Sequence, residues 1–153
     1  MENSIRVKYH KSKFGDLILG SYKDQLCICD WKFRKMRSAI DERIQNGLES
    51  KYIESDSTVT ENTIRQLEEY FAGERQIFDI PLIMTGTDFQ KKVWESLLKI
   101  PYGQTKSYLE LSKQIGDLKA IRAVAAANGA NAISVIIPCH RIIGSKGELT
   151  GYA

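Results

Sequence analysis

Cysteine is scarce in this sequence, with three residues, Cys27, Cys29 and Cys139, among 153. An odd and sparse count argues against a disulfide framework, leaves at least one thiol free and fits a reducing compartment. Long apolar runs are lacking too. No segment approaches the roughly 20 residues that a membrane helix needs, and the opening MENSIRVKYHK has no apolar stretch of the kind a secretory leader carries. A cytoplasmic protein without a membrane partner is expected. Repeats and low-complexity tracts are missing as well. What is present is a globular composition: 42% hydrophobic and 27% charged residues, enough for a buried core and a solvated surface in one average domain or two small ones.

A large charge of one sign is also missing, since the formal net is only +3. Its distribution is uneven. Residues 1–86 hold 13 Lys/Arg against 14 Asp/Glu, and residues 87–153 hold 9 against 5. The positive field falls in the second half, where a polyanion would dock. An ordinary uneven surface would give the same count, so charge alone does not choose.

Periodicity divides the chain. Residues 4–31 read as a strand meander: Ile5, Val7 and Tyr9 alternate with polar residues, turns fall at Phe14-Gly15-Asp16 and Lys23-Asp24-Gln25, and apolar runs follow each. Phe33, Met36, Ile40 and Ile44 then recur at helical spacing over 33–48, and polar residues 49–57 read as loop. Thr58-x-x-Glu61 forms a capping box before Ile64, Leu67 and Phe71, with Gly73 as the closing glycine. The Pro81-bearing stretch 74–86 reads as extended and as the linker. Thr87-x-x-Gln90 caps a helix predicted to run to Lys99 with Phe89, Val93 and Leu97 inward, and Pro101-Tyr102-Gly103 breaks it. Ser107-x-x-Glu110 opens a helix closing near Gly116, and another spans about 118–128. Two short helices on a tight turn make a helix-turn-helix candidate, although any helical hairpin shares that pattern. Residues 134–137 read as a short buried strand stopped by Pro138.

The helix over 118–128 is unusual. From Ala120 to Ala132 it carries seven alanines and a single charge, Arg122. Small side chains let a backbone approach another surface closely, either a protein core or a narrow groove. Arg122 is then a solvated charge or a probe. Just beyond lies Cys139-His140, a thiol beside an imidazole. A thiolate is a nucleophile that a neighbouring base can generate, but adjacent residues on a straight strand face opposite ways, so a turn or a bridging water is required. By themselves the two residues also fit a buried structural cysteine. Cys27 and Cys29 share a strand face, where a core pair or, with His10, a metal pair both fit. Trp31 and Trp94 read as core aromatics, and the basic run over 32–37 as a solvated helix face.

The segment Ile137-Pro138-Cys139-His140-Arg141-Ile142-Ile143 resembles the active-site signature of the O6-alkylguanine-DNA alkyltransferase family. The resemblance continues in order through Gly86-Thr87-x-Phe89-Gln90-x-x-Val93-Trp94, Ile100 to Thr105, Ser107-Tyr108, Lys119-Ala120-x-Arg122-Ala123-Val124, Asn128, Asn131 and Gly151-Tyr152. It covers about 66 to 153, and the N-terminal meander fits more loosely. It implies an α+β fold. Residues 1–80 would form a small antiparallel-sheet-plus-helix domain, ribonuclease-H-like by resemblance, and residues 81–153 a mainly helical domain with a winged-helix-like helix-turn-helix.

The implied activity is direct reversal of DNA damage, in which one alkyl group passes irreversibly from O6-alkylguanine in duplex DNA to Cys139. O4-alkylthymine is a second candidate lesion. By the resemblance Arg122 fills the stack after base flipping, while Tyr108 crowds the phosphate and supplies a proton. His140 relays the thiol proton through water, and Asn131 ties the recognition helix to the reactive segment. Ser107, Tyr108, Ala123, Ala126 and Ala127 would join Arg122 on the DNA side, and Ser145, Tyr152 and Ala153 would line the substrate pocket. A monomer with alkylated duplex DNA as partner, and no metal or other cofactor, is expected.

The sequence departs from the family after Ala153, where members continue through a loop and a helix whose glutamate orients the histidine. Either the chain is a fragment or the relay is incomplete, with slow transfer at neutral pH. Glu148 and Glu110 are the acids nearest in sequence. Leu118 and Ala132 stand where members often carry proline. Two rivals remain: a non-catalytic lesion binder of alkyltransferase-like type, in which tryptophan replaces the cysteine, and a transcription regulator, for which the alanine-rich helix offers a poor set of base-reading side chains.

Overall fold

The computed structural model describes residues 4–144, so the expectations placed on Ser145, Glu148, Gly151, Tyr152 and Ala153 lie outside the described residues. The chain is α+β and splits into two compact units, Met1–Thr85 and Gly86–Ala153.

In the first unit, β1 (Ser4–Ser12), β2 (Gly15–Tyr22) and β3 (Gln25–Trp31) form the expected antiparallel meander. The β2–β3 turn places Lys23 and Asp24 at φ 48° and 62°, the left-handed pair that suits the twist of a two-residue hairpin. β1 buries Ile5 and Val7, exposes Tyr9 and Lys11 further along the same face and leaves its other face half-buried, whereas the continuous apolar runs of β2 and β3 are buried on both sides.

The polar stretch after residue 48 contains a strand that the sequence reading missed, β4 (Lys51–Glu54). It adds to β1 in parallel, with Ser4 opposite Lys51, and gives the order β3-β2-β1-β4. Only Tyr52 and Ile53 are apolar there, so no local period marks it.

Helix α1 (Arg37–Gly47) begins four residues later than the period suggested, and Phe33 is 79% exposed rather than inward. The cause is Asp30, which is fully buried. Arg34 Nη1 donates to both its carboxylate oxygens at 3.1 Å, and Arg37 Nη1 donates to Oδ2 at 3.1 Å and to the Trp31 carbonyl at 2.9 Å. Those arginines draw residues 32–36 into turns. The basic run is therefore not a solvated helix face. Burying a charge this way requires its partners, because an unpaired one would cost several kcal/mol.

Helix α2 (Thr58–Phe71) is capped by Ser57 rather than Thr58: Ser57 Oγ accepts from the Thr60 amide at 3.2 Å. Ser57 and Thr58 are both cap formers, and only the backbone geometry decides between them. At its end the Gly73 amide donates to the Tyr70 carbonyl and the Glu74 amide to the Glu69 carbonyl, so the last carbonyls are satisfied. The stretch 81–83 then lies along β3, with Leu26 N to Pro81 O at 2.8 Å and Ile83 N to Leu26 O at 3.0 Å.

In the second unit, α3 (Asp88–Leu97) carries the expected reciprocal cap between Thr87 and Gln90, and ends at Leu97. Gly86 precedes it because a Cβ there would lie 2.7 Å from the Trp94 ring. Helix α4 (Tyr108–Ile115) has the same reciprocal cap from Ser107 and Glu110 and closes on Gly116 at φ 95°. A 3-10 turn, Leu118–Ala120, leads into α5 (Ile121–Gly129). The three helices bury Val93, Trp94, Leu97, Leu111, Ile115 and Val124 between them. Trp94 is a core residue as expected, and Trp31 is half-buried. Short strands β5 (Lys106–Ser107) and β6 (Ile142–Ile143) pair in parallel.

The strand expected at 134–137 does not form. Residues 134–136 turn, and Val135 takes φ 70°. Asn131 is the reason. Its Nδ2 donates to the carbonyls of Ile133 (3.3 Å) and Ile137 (2.9 Å), and its Oδ1 accepts from the Ile133 amide at 3.0 Å. One side chain thus draws residues 133 and 137 together, which an extended strand could not permit.

Candidate active site

That loop delivers Pro138 and a 3-10 turn, Cys139–Arg141. The Arg141 amide donates to the Pro138 carbonyl at 3.0 Å and the Cys139 amide to the Ile137 carbonyl at 2.8 Å. Successive residues of a 3-10 turn diverge by about 120°. Cys139 points inward, 3% exposed, while His140 lies at the surface. The turn is present, but it sends the thiol inward and the imidazole outward, so a bridging water is still required to join them.

Desolvation by the surrounding protein lowers the His140 pKa below its usual 6.5, and the charge of Arg141 lowers it further. Both effects favour the neutral imidazole. Arg141 itself is anchored: its Nη1 donates to the Ile100 carbonyl at 2.6 Å, and its guanidinium lies 5.8 Å from the centre of the Tyr102 ring. The reactive turn is thereby held to the loop after α3.

Tyr108 begins α4 and is 7% exposed. Asn128, in the last turn of α5, is 1% exposed; its Nδ2 lies 3.5 Å from the Tyr108 hydroxyl oxygen and 3.4 Å from the Cys139 carbonyl. Tyr108, Asn128 and Cys139 thus meet in one buried polar seam, with Asn131 holding the loop that precedes Cys139, while Arg122, Ala123 and Ala126 share the exposed face of α5. Ala127 does not share that face. It is 2% exposed and its carbonyl accepts from Trp94 Nε1 at 2.8 Å, because one further residue turns the side chain about 100° toward α3. Ser107 is half-buried and its Oγ accepts from the Glu110 amide at 3.1 Å as the cap of α4.

Sequence reasoning gave Asn128 no role and Arg141 none beyond the signature. A lone amide among alanines was the available signal for the first. For the second, nothing local showed that the guanidinium reaches Ile100.

The other cysteines are set apart chemically. Burial pushes the Cys27 thiol up to about 12, and Cys29 is also raised by burial, with Asp30 adding to it. Cys27 donates to the Gly20 carbonyl at 3.4 Å, and His10 pairs with Glu68 at 2.9 Å. Among the described residues no group of three or more His, Cys, Asp or Glu could hold a metal ion, and no helix is long and apolar enough to cross a membrane.

Residues 5–84 match the family model of the ribonuclease-like domain of 6-O-methylguanine DNA methyltransferase, and residues 88–153 that of its DNA binding domain. A methylated-DNA--protein-cysteine methyltransferase of Methanosarcina acetivorans is 58% identical over 89 residues, which are 58% of this chain and 57% of that protein. The constitutive Bacillus subtilis protein of the same name is 52% identical over 89 residues, 58% of this chain and 54% of that one. The matched stretch thus spans little more than half the length of these curated relatives. The structure of Mycobacterium tuberculosis OGT in complex with DNA is 39% identical, covering 97% of this chain and 84% of that chain with a TM-score of 0.81.

Proposed function

The chain belongs to the 6-O-methylguanine DNA methyltransferase family, and from that premise we propose that it repairs O6-alkylguanine in duplex DNA by taking the alkyl group onto Cys139, once per molecule. The observation that carries this reading is the position of Cys139: buried in a turn at the end of α5, against Asn128, while α5 exposes Arg122, Ala123 and Ala126.

A buried thiol can meet a base only if the base leaves the stack. Small residues on the exposed face of α5 let the helix come close to the duplex, and Arg122 occupies the gap that the flipped nucleotide leaves. Neutral His140 takes the Cys139 proton through water. The thiolate attacks the alkyl carbon, the carbon–O6 bond breaks as the Sγ–carbon bond forms, and the departing electron pair stays on guanine. Tyr108 supplies the proton that makes guanine a better leaving group. Asn131 holds the loop that presents Cys139. The product is a thioether, a poor leaving group, so there is no turnover. The protein acts where the DNA is, in the cytoplasm, as a monomer. O4-alkylthymine is a second substrate of the same chemistry.

The test is intact mass after mixing with duplex DNA containing O6-methylguanine. A gain of one methyl on the Cys139 peptide, reaching a plateau at one per protein, is the expected result. Binding with no mass change would make the chain a lesion binder, and sustained turnover would rule out a suicide mechanism.

A further inference from the structure

We propose that Asn128 is a positioning residue for Tyr108: its Nδ2 group makes the phenolic oxygen an acceptor and so turns the Tyr108 proton away from α5, toward the base. This rests on the proposed transfer reaction. Asn128 is the polar residue of an α5 that otherwise turns Val124, Ala127 and Gly129 inward, and it is 1% exposed. Asparagine is a weak helix former, and its amide needs partners when buried.

Geometry fixes which way the amide points. The Cys139 carbonyl, 3.4 Å from Nδ2, can only accept. Reversing the amide would set two oxygens against each other, so Nδ2 must face the carbonyl. The same nitrogen lies 3.5 Å from the Tyr108 hydroxyl oxygen. A hydroxyl has one proton, and against a donor its oxygen must accept. The proton then rotates elsewhere. Both contacts are long at rest, as catalytic hydrogen bonds commonly are before substrate binds.

The other end of the amide supports this. Asn128 Oδ1 is buried without a hydrogen-bond partner among the described residues. A stranded acceptor is uncommon in a folded interior, and here it is the consequence of aiming Nδ2 at Tyr108 and Cys139. Asn131 cannot substitute, because its amide is engaged by the backbone of Ile133 and Ile137. One amide therefore links the proton donor at the start of α4 to the backbone of the nucleophile.

The experiment is a double-mutant cycle on the full chain. Asn128→Leu keeps the volume and removes the amide, and Asn128→Ser is too short to reach either partner. Each is measured alone and with Tyr108→Phe, by single-turnover transfer from O6-benzylguanine and from methylated duplex, with thermal melting as the fold check. A general acid contributes roughly 100-fold or more, so loss of its orientation should slow transfer about tenfold in the Tyr108 background. With Tyr108→Phe present, either Asn128 change should add less than about twofold. Equal slowing in both backgrounds, tracking a fall in melting temperature, would overturn the proposal and leave Asn128 a packing residue. So would an unchanged rate in either folded variant. An unmodified chain that transfers no alkyl group would instead defeat the proposed function itself.

Discussion

Three thiols of one chemical type have different surroundings here, and surroundings decide reactivity. Cys27 and Cys29 sit in β3, where burial holds their protons on and pushes Cys27 up to about 12. We expect Cys139→Ala to abolish alkyl transfer. Cys27→Ala or Cys29→Ala should leave the transfer rate unchanged and cost about 1 kcal/mol of stability, the loss of one buried methylene-sized group; peptide mapping and urea melts check both. His140 makes a prediction about pH. Its pKa is lowered, so the neutral base persists below pH 6.5 and the acid limb of the transfer rate should lie below that value. Desolvation is the larger cause and Arg141 the smaller. Arg141→Gln should therefore move the limb part of the way up toward 6.5, while Arg141→Lys, which keeps the charge, should leave it in place. The stability contribution has the matching sign: an unfolded chain takes up the His140 proton first, so this group destabilises the fold as pH drops through about 6.5. A limb that ignores Arg141→Gln would remove the electrostatic part of the account.

Local signals were readable in the sequence, and non-local ones were not. The caps of α3 and α4 were legible because Thr87 with Gln90, and Ser107 with Glu110, satisfy each other within one turn. Strand β4 was not, because its identity comes from pairing with β1 far upstream. The start of α1 was misjudged because Arg34 and Arg37 answer a buried Asp30 that the helical period does not register. The loop before Cys139 was misread as a strand because Ser134 to Ile137 have strand composition, and the Asn131 side chain overrides it. Val135 shows the cost of that override. A β-branched residue at φ 70° is strained by roughly 1–3 kcal/mol. Val135→Asn, which tolerates the left-handed region, should raise stability by about 1 kcal/mol in chemical denaturation despite placing a polar group at a half-buried site. A destabilised variant would show that packing of the valine outweighs its strain. In the opposite sense, Gly116 closes α4 at φ 95° with nothing near its missing Cβ. Gly116→Ala should cost about 1–2 kcal/mol from backbone conformation alone.

At the scale of the molecule, charge and exposure separate the tasks. The second half holds the positive excess, 9 Lys/Arg against 5 Asp/Glu over 87–153, so affinity for DNA should come mainly from that half and fall with salt. The proposed repair needs more than affinity, because a buried Cys139 would react only with a base that has left the duplex. Arg122 is the residue to separate the two. It is exposed on α5 and makes no hydrogen bond or ion pair among the described residues, so removing it should leave folding intact. Flipping a base costs a few kcal/mol of unstacking, and an inserted arginine offsets part of it. A free base incurs none of that cost. Arg122→Ala should therefore slow transfer from methylated duplex by about tenfold or more, while transfer from free O6-benzylguanine changes less than about twofold. Both are read as single-turnover rates at saturating substrate and fixed salt, so weaker binding does not enter. If the two substrates lose equally, Arg122 acts on the reactive turn itself and the exposed face of α5 is not what opens the duplex.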